Sequence, residues 1–200
     1  MIRSLIHQRI LSEGGLRSET RPLIQRGLNA GTVPSWTLTK TAANGWSNAG
    51  ASSVQTIAGD GWVEFRMDAL SGNQFMIGLS ASDIDQSYAS NQYAIFIKAG
   101  GGTIDVYESP DRVTPVIRLS MHAVVGDETF KIQRVGTTIT YLKNDVIIYT
   151  SATAISVPLL VDVALHSPAT VVQNIKLYDN GIQVPITWQN VVGCTATEVP

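Results

Sequence analysis

The sequence predicts an all-β sandwich, and three observations support that fold class. Only 15% of the 200 residues are charged, against roughly 25% in an average domain, and 44% are hydrophobic, enough for a substantial core. The chain also has 17 glycines and many Ser, Thr, Val and Ile residues, a composition that suits strands and tight turns. After residue 33, short alternating runs end in Gly, Asn, Asp or Ser at roughly 8–12-residue intervals, which is typical of sandwiches and barrels.

Charge and cysteine content exclude several functional classes. Fourteen Lys and Arg residues stand against sixteen Asp and Glu residues, so the net charge of −2 provides no overall field for binding nucleic acid. The single cysteine, Cys194, allows no internal disulfide and no cysteine-rich zinc site. No stretch approaches the roughly 20 apolar residues of a membrane span, and we expect no cleavable signal peptide.

Residues 1–33 differ from the rest of the chain in charge and pattern. They contain five arginines and two glutamates, a net charge of +3. Apolar residues spaced by three and four lie on one face of a short helix that ends before a Gly-Gly pair. We therefore predict an N-terminal, partly helical docking arm, with packing of this segment on its own domain as the alternative. The residues expected to form its assembly face are Ile2, Arg3, Leu5, Ile6, Arg9 and Ile10.

Thirteen candidate strands follow the arm. The clearest three, Thr129–Val135, Thr138–Leu142 and Val146–Ser151, are separated by two short turns, which implies antiparallel hairpins. No alternation of strands and helices occurs, so a parallel nucleotide-binding sheet is disfavoured. The other candidates are Trp36–Thr41, Ser52–Ile57, Trp62–Asp68, Gln74–Ser80, Gln92–Lys98, Thr103–Glu108, Val113–Leu119, Leu159–Leu165, Thr170–Tyr178 and Gln183–Val192.

The last candidate, Gln183–Val192, is expected to be a full strand that closes the sandwich. Its alternation places Val184, Ile186 and Trp188 on one face, an apolar stripe that must be covered. We expect it to pair at the sheet edge beside Trp36–Thr41. The short Asp-Asn-Gly turn before it favours pairing within the same chain, and donation to a neighbouring molecule is the alternative.

Several runs, taken in order and spacing, resemble a concanavalin A-like lectin/glucanase module of bacterial surface and phage proteins. These runs are Asn44–Ile57, Asp60–Phe65, Phe75–Ser80, Tyr93–Phe96, Ile104–Glu108, Tyr141–Asp145, Ile148–Ser151 and Pro158–Asp162. The resemblance implies a jelly roll of two curved antiparallel sheets for residues 34–200, with the arm in front of it. Modules of the family usually open with a strand similar to Ile186–Thr197, which here stands at the C-terminal end.

Catalysis is not expected. The resemblance implies that a glucanase of this kind would carry Glu-x-Asp-x-x-Glu on one strand, because a retaining mechanism needs two carboxyl groups about 5–5.5 Å apart. That spacing is absent from the sequence. The nearest acidic pairs are Glu64 with Asp68 and Asp105 with Glu108. Glu64 shares a strand face with Arg66 and is expected to pair with it, whereas odd spacing puts the second pair on opposite faces. Ser167 adjoins His166, but no nucleophile-elbow motif surrounds it.

The segment between residues 80 and 91 contains the one candidate metal site. Asp83, Asp85 and Asn91 offer the hard oxygen ligands that calcium prefers, and we expect no other cofactor. The same residue types also favour turns that are closed by their own side chains, which is the alternative interpretation.

Aromatic residues near loops and strand ends suggest a sugar-binding surface. The candidates are Trp46, Tyr88 and Tyr93, with Asn91 as a polar neighbour, because sugars place an apolar C–H face on an aromatic ring and hydrogen-bond at its rim. Packing in the core or at its rim is the alternative for Trp46 and Trp62.

Together these features predict a non-catalytic structural or assembly protein. We expect a phage virion component, such as a decoration, fibre or tail module, that displays a lectin-like sandwich for surface attachment. A glycan-binding module of a bacterial surface protein is the alternative, and a glycoside hydrolase is the least supported. The expected partners are other virion or surface subunits through the arm, glycans, and further copies of this chain, at the virion or extracellular surface.

Overall fold

The computed structural model describes residues 32–67, 74–98, 102–122 and 127–200, so the predicted arm residues Ile2, Arg3, Leu5, Ile6, Arg9 and Ile10 lie outside the described residues. None of the described helical segments is long and apolar enough to cross a bilayer. Apart from the single 3₁₀ turn Tyr88–Ser90, the regular structure in these ranges is β. The strands are β1 (Ser35–Lys40), β2 (Gly50–Ile57), β3 (Gly61–Met67), β4 (Phe75–Ser80), β5 (Tyr93–Ile97), β6 (Thr103–Glu108), β7 (Val116–His122), β8 (Glu128–Val135), β9 (Thr138–Lys143), β10 (Val146–Thr150), β11 (Leu159–Leu165), β12 (Val171–Asp179), β13 (Ile182–Val184), β14 (Trp188–Val192) and β15 (Cys194–Val199).

These strands form two antiparallel sheets. The eight-stranded sheet has the order β10-β9-β8-β3-β12-β1-β15, with β13 beside one end of β12. The seven-stranded sheet has the order β14-β2-β11-β4-β5-β6-β7. The predicted all-β antiparallel sandwich is therefore confirmed.

The core lies between the two sheets and follows the alternation of the strands. On β8, Phe130 and Ile132 are fully buried, whereas Lys131 between them is half-buried on the outer side. Phe65 of β3 stacks on Phe130 with ring centroids 5.6 Å apart, and meets Phe75 from the other sheet edge-on at 6.1 Å. Alternation of this kind is what a strand with one face on the core requires.

The predicted hairpins of the β8–β9–β10 meander are present. Gly136 adopts φ +59° between β8 and β9, and Asn144 and Asp145 adopt φ +48° and +63° between β9 and β10. Two successive left-handed residues define the type I′ turn that matches strand twist, and Asn and Asp tolerate that conformation. The Asn144 side chain also accepts a hydrogen bond from the Thr129 N–H at 3.0 Å.

The expectation that Gln183–Val192 forms one strand is wrong. β13 pairs with β12 in the eight-stranded sheet, and β14 pairs with β2 in the seven-stranded sheet. Pro185, which cannot donate a ladder hydrogen bond, lies where the chain crosses between the sheets. The edge beside β1 is filled by β15, a strand that the sequence analysis did not identify.

The apolar stripe of this segment is nevertheless covered by the chain itself. Ile186 is buried in the core between the sheets, and Val184 and Trp188 pack against the same cluster. The Trp188 ring meets Trp36 edge-on, with centroids 6.4 Å apart and planes at 85°. The C-terminal segment thus closes one side of the sandwich in both sheets.

Candidate functional site

The outer face of the seven-stranded sheet carries the candidate site. Its central outward positions are small, with Gly78 opposite Ala94 on one side and Asp162 on the other. Residues 81–92, here called the 81–92 loop, fold back onto this face: a Cβ at Gly50 of β2 would lie 3.3 Å from the Gln86 side chain. Small residues on the sheet therefore let the loop approach the strands closely.

Five side chains meet on this face and are called here the aromatic patch: Trp46, Tyr88, Phe96, Tyr107 and His166. The Trp46 ring centroid lies 5.0 Å from Tyr88, 5.7 Å from Phe96 and 4.8 Å from His166. Tyr107 packs edge-on against Phe96 at 5.8 Å. Phe96 is nearly buried under the patch, whereas the other four rings are half-buried and keep part of their surface in solvent.

The sequence pattern predicts Trp46 and Tyr88 of this patch but not Phe96, Tyr107 or His166. Tyr107 is on β6 and has Phe96 and Asp105 as outward-facing neighbours, but alternation alone could not tell which face of β6 is the outer one. Burial and the negative charge of Asp105 raise the pKa of Tyr107, so its hydroxyl keeps its proton. Burial and the positive charge of Lys40 lower the pKa of His166, which favours the neutral imidazole.

Tyr93 and Asn91, both predicted to touch a glycan, are not at the surface. Tyr93 is fully buried on the inner face of β5 with Ile95 and Ile97, because alternation sends Ala94 and Phe96 outward. Asn91 is 2% exposed, and its amide nitrogen, oriented toward Asp162, lies 2.8 and 3.0 Å from the two carboxylate oxygens. Both predictions are therefore corrected.

Asp162 anchors a polar cluster beneath the 81–92 loop. The side chain is 2% exposed and projects from the outer face of β11. Burial raises the pKa of Asp162 to about 8, the negative charge of Asp83 adds to this shift, and a hydrogen bond from Ser80 opposes it. Burial thus disfavours the negative charge of Asp162, whereas the Asn91 amide and the Ser80 hydroxyl offset part of that cost.

The predicted calcium ligands have protein partners. Asp83 accepts a hydrogen bond from the Asn190 amide at 2.8 Å, and Asp85 accepts one from the Ser87 N–H at 2.9 Å. In the described ranges, no group of three His, Cys, Asp or Glu side chains is arranged to hold a metal ion. The acidic loop here has the hydrogen bonds of a side-chain-closed turn.

Asp105 and Glu108, one of the acidic pairs considered for catalysis, do not form a dyad. Asp105 lies on the outer face, 2.6 Å from the Lys98 ammonium. Glu108 points into the sandwich, where it accepts hydrogen bonds from Arg118 at 3.0 Å and from the Tyr141 hydroxyl at 3.3 Å.

Glu64, the other acidic candidate among the described residues, is paired with two lysines. The carboxylate of Glu64 lies 3.4 Å from Lys131 and 3.9 Å from Lys176, so the expected pairing with Arg66 is wrong; Arg66 pairs instead with Asp127. Asp68 lies outside the described residues.

Comparisons with known proteins found similarity to solved structures alone. No protein-family model and no curated protein matches the chain. Among solved structures it is similar to the carbohydrate recognition domain of Emp47p, with a TM-score of 0.47 and 8% identity over 74% of this chain and 89% of that one. It is also similar to a heptameric SAP-like pentraxin from Limulus polyphemus, with a TM-score of 0.47 and 10% identity over 84% of this chain and 95% of that one. An alginate lyase from Corynebacterium sp. gives a TM-score of 0.37 and 10% identity over 82% of this chain and 94% of that one.

The two antiparallel sheets of this chain are established by its own strand pairing.

Proposed function

We propose that this protein is a non-catalytic carbohydrate-binding module whose aromatic patch receives the sugar. The observation that carries this proposal is the meeting of Trp46, Tyr88, Tyr107 and His166, half-buried and close together, on one outer face of the sandwich. An aromatic surface of this kind offers a sugar C–H face an apolar contact while leaving room for hydrogen bonds at its edge.

Polar groups at the rim of the patch suit sugar hydroxyls. The Lys98 ammonium lies 6.0 Å from the centroid of the Phe96 ring while it pairs with Asp105. The Tyr107 hydroxyl keeps its proton and can donate, and the neutral His166 ring can accept or donate. The rim thus combines donors and acceptors beside apolar surface, which is what sugar recognition requires.

The absence of catalysis is part of the proposal. Glycoside hydrolysis needs a carboxylic acid and a carboxylate that face one substrate. Asp105 and Glu108 lie on opposite faces of β6, and each is paired with a cation, Lys98 and Arg118 respectively. This arrangement supports a binding role over a hydrolytic one.

We place this module in a phage virion component or at an extracellular surface, where sugar binding would serve attachment. This placement rests on the sequence analysis, as does the expected contact with other subunits through residues 1–33. A bacterial surface protein with the same binding role remains the alternative location.

The experiment is a glycan array followed by calorimetry on the strongest ligand. Trp46→Ala is expected to weaken binding at least tenfold, because it removes the central ring of the patch. Trp62→Ala is the matched control, since Trp62 is a half-buried ring on the outer face of the other sheet. A protein that binds no glycan, or one whose affinity falls equally in both variants, would contradict the proposal. Release of reducing ends from a bound polysaccharide would contradict its non-catalytic part.

A further inference from the structure

Lys40 is the last residue of β1, and its ammonium group is buried at one end of the sandwich. The side chain is 2% exposed although it belongs to the residue type that is most often solvated. It shares the inner side of β1 with the core residue Leu38. A lysine in this setting persists only where its donors are satisfied.

The Lys40 ammonium has three acceptors for its three N–H donors. It donates to the carbonyl of Gly45 at 2.8 Å, to the side-chain oxygen of Asn48 at 2.6 Å and to the carbonyl of Leu165 at 2.8 Å. Burial lowers the pKa of Lys40. Hydrogen bonds from an ammonium are stronger than those from a neutral donor, so the three together fix the groups that accept them.

The two backbone acceptors directly precede two residues of the aromatic patch. Gly45 precedes Trp46, and Leu165 precedes His166. The Gly45 N–H also donates to the His166 carbonyl at 3.1 Å. The two segments are therefore joined directly by this hydrogen bond and also through the Lys40 ammonium. The Trp46 and His166 rings then lie 4.8 Å apart.

Residues 41–49 are called here the 41–49 loop. The first residues of this loop are held by hydrogen bonds that do not involve the Lys40 side chain. The N–H groups of Thr41 and Ala42 donate to the Gly193 carbonyl at 2.9 and 3.0 Å. Gly193 has φ +55°, and a Cβ there would lie 2.1 Å from the Asn48 carbonyl, so only glycine fits this corner between β14 and β15. The loop ends are therefore held by the C-terminal strands, and Lys40 acts on the part that carries Trp46.

We propose that Lys40 is a positioning residue of the aromatic patch, which holds Trp46 against His166 by joining the Gly45 and Leu165 carbonyls through one buried ammonium. This proposal rests on the proposed function for its effect on sugar affinity, but its effect on Trp46 is independent of any ligand. Lys40 itself lies beneath the loop and touches no ligand.

The test uses the full chain labelled with 5-fluorotryptophan, with the fluorine signal of Trp46 assigned from Trp46→Phe. Lys40→Met keeps the length of the side chain and removes the three donors. We expect the Trp46 signal to shift or split in this variant while the Trp62 signal stays in place. Asn48→Ala, which removes one acceptor, is expected to give a smaller change in the same signal and serves if Lys40→Met does not fold. An unchanged Trp46 signal in a folded variant would overturn the proposal.

A pH titration adds a readout that a general loss of stability would not produce. As the pH rises through the lowered pKa of Lys40, the ammonium becomes an amine with two donors for three acceptors. The other titratable groups that face it are Cys194, whose negative charge opposes the lowering of the Lys40 pKa, and His166, whose pKa is itself lowered. We expect the Trp46 signal of the wild type to move over the Lys40 range well beyond any movement that Cys194 causes in Lys40→Met. Parallel movement in both proteins would overturn the assignment to Lys40.

Affinity separates this proposal from the proposed function. With a glycan from the array, Lys40→Met is expected to bind at least fivefold more weakly than the wild type. If the Trp46 signal changes but the affinity does not, the Lys40 assignment stands, and the proposed function fails because the glycan does not bind at the aromatic patch. If Lys40→Met changes the Trp46 signal and the wild type binds no glycan, the Lys40 assignment stands and the proposed function fails.

Discussion

Both outer faces of the sandwich have clustered aromatic side chains, but the two clusters are brought together by different parts of the fold. On the eight-stranded sheet, Trp62 and Tyr178 are direct partners across β3 and β12, and their rings stack at 4.5 Å and 15°. Lys131 lies 5.7 Å from the Trp62 ring and 3.4 Å from Glu64, a same-face neighbour of that ring. These contacts follow from strand register alone, because facing residues on neighbouring strands are adjacent.

The seven-stranded face is assembled from segments far apart in the sequence. Trp46 comes from the 41–49 loop, Tyr88 from the 81–92 loop, and His166 from the end of β11. Asp162 is buried on this face, whereas the carboxylate of Glu64 on the other face is 19% exposed. The aromatic pair on the eight-stranded face is thus set by strand register, whereas the aromatic patch on the other face is set by loops that converge over small residues.

A large difference between the two outer faces is expected from Phe96→Ala. Phe96 is 9% exposed and supports Trp46 and Tyr107, so its removal leaves a cavity beneath the patch. We expect a loss of about 3–5 kcal/mol in the free energy of unfolding, measured by urea denaturation. Leu142, also 9% exposed but on the other outer face beside the exposed Ile147, is the control; Leu142→Ala is expected to cost about 2 kcal/mol. Equal losses would show that the two faces are supported alike.

Asp162→Asn should change how stability depends on pH. With a folded pKa of about 8, Asp162 keeps a proton that the unfolded chain releases near the ordinary pKa of 3.8. This group therefore lowers stability as the pH rises from about 4 to about 8, by at most roughly 1.4 kcal/mol per pH unit, and has a constant effect above that range. The Asn variant should match the wild type near pH 4 and be the more stable protein at pH 8.

Urea denaturation of both proteins from pH 4 to pH 9 tests this prediction. Glu64→Gln provides the comparison on the other face, where Lys131 and Lys176 lie close to a partly exposed carboxylate. A wild type and an Asp162→Asn variant with parallel profiles would show that Asp162 is ionised throughout.

A smaller effect is expected from Tyr178→Leu on the eight-stranded face. The substitution keeps an apolar side chain and removes the stacked ring partner of Trp62. Aromatic pairs contribute about 0.5–1.5 kcal/mol beyond the area they bury, and we expect a loss of this size in thermal or urea unfolding. Glycan affinity should not change, because the ring lies on the face opposite to the aromatic patch. A loss of affinity would move the binding surface to the eight-stranded sheet.

The smallest effect should come from Lys131→Met. Lys131 pairs with Glu64 and with the exposed Asp145, and exposed ion pairs contribute about 0–1 kcal/mol. We expect the loss to shrink in 1 M salt, because solvent ions screen such pairs. A loss above 2 kcal/mol that persists in salt would show that this face depends on its ion pairs more than its exposure indicates.

The sequence by itself determined the sandwich and most of its strands. Alternation identified β3 and β11 closely, and the Asn144-Asp145 pair identified a hairpin turn, because side-chain period and left-handed turn residues are local properties. The same local logic put Asp105 and Glu108 on opposite faces of one strand, which the structure confirms.

Only the tertiary structure decided which face of each strand is outside and what covers it. Tyr93 and Trp46 are both aromatic residues near loops, yet one is in the core and the other is on the patch, because the facing sheet covers the inner side of β5. The pairing of β14 with β2, the pairing of β15 with β1, and the contact of Lys40 with the Leu165 carbonyl join segments more than one hundred residues apart. Period and turn chemistry act over a few residues, whereas these contacts exist only after the two sheets have packed together.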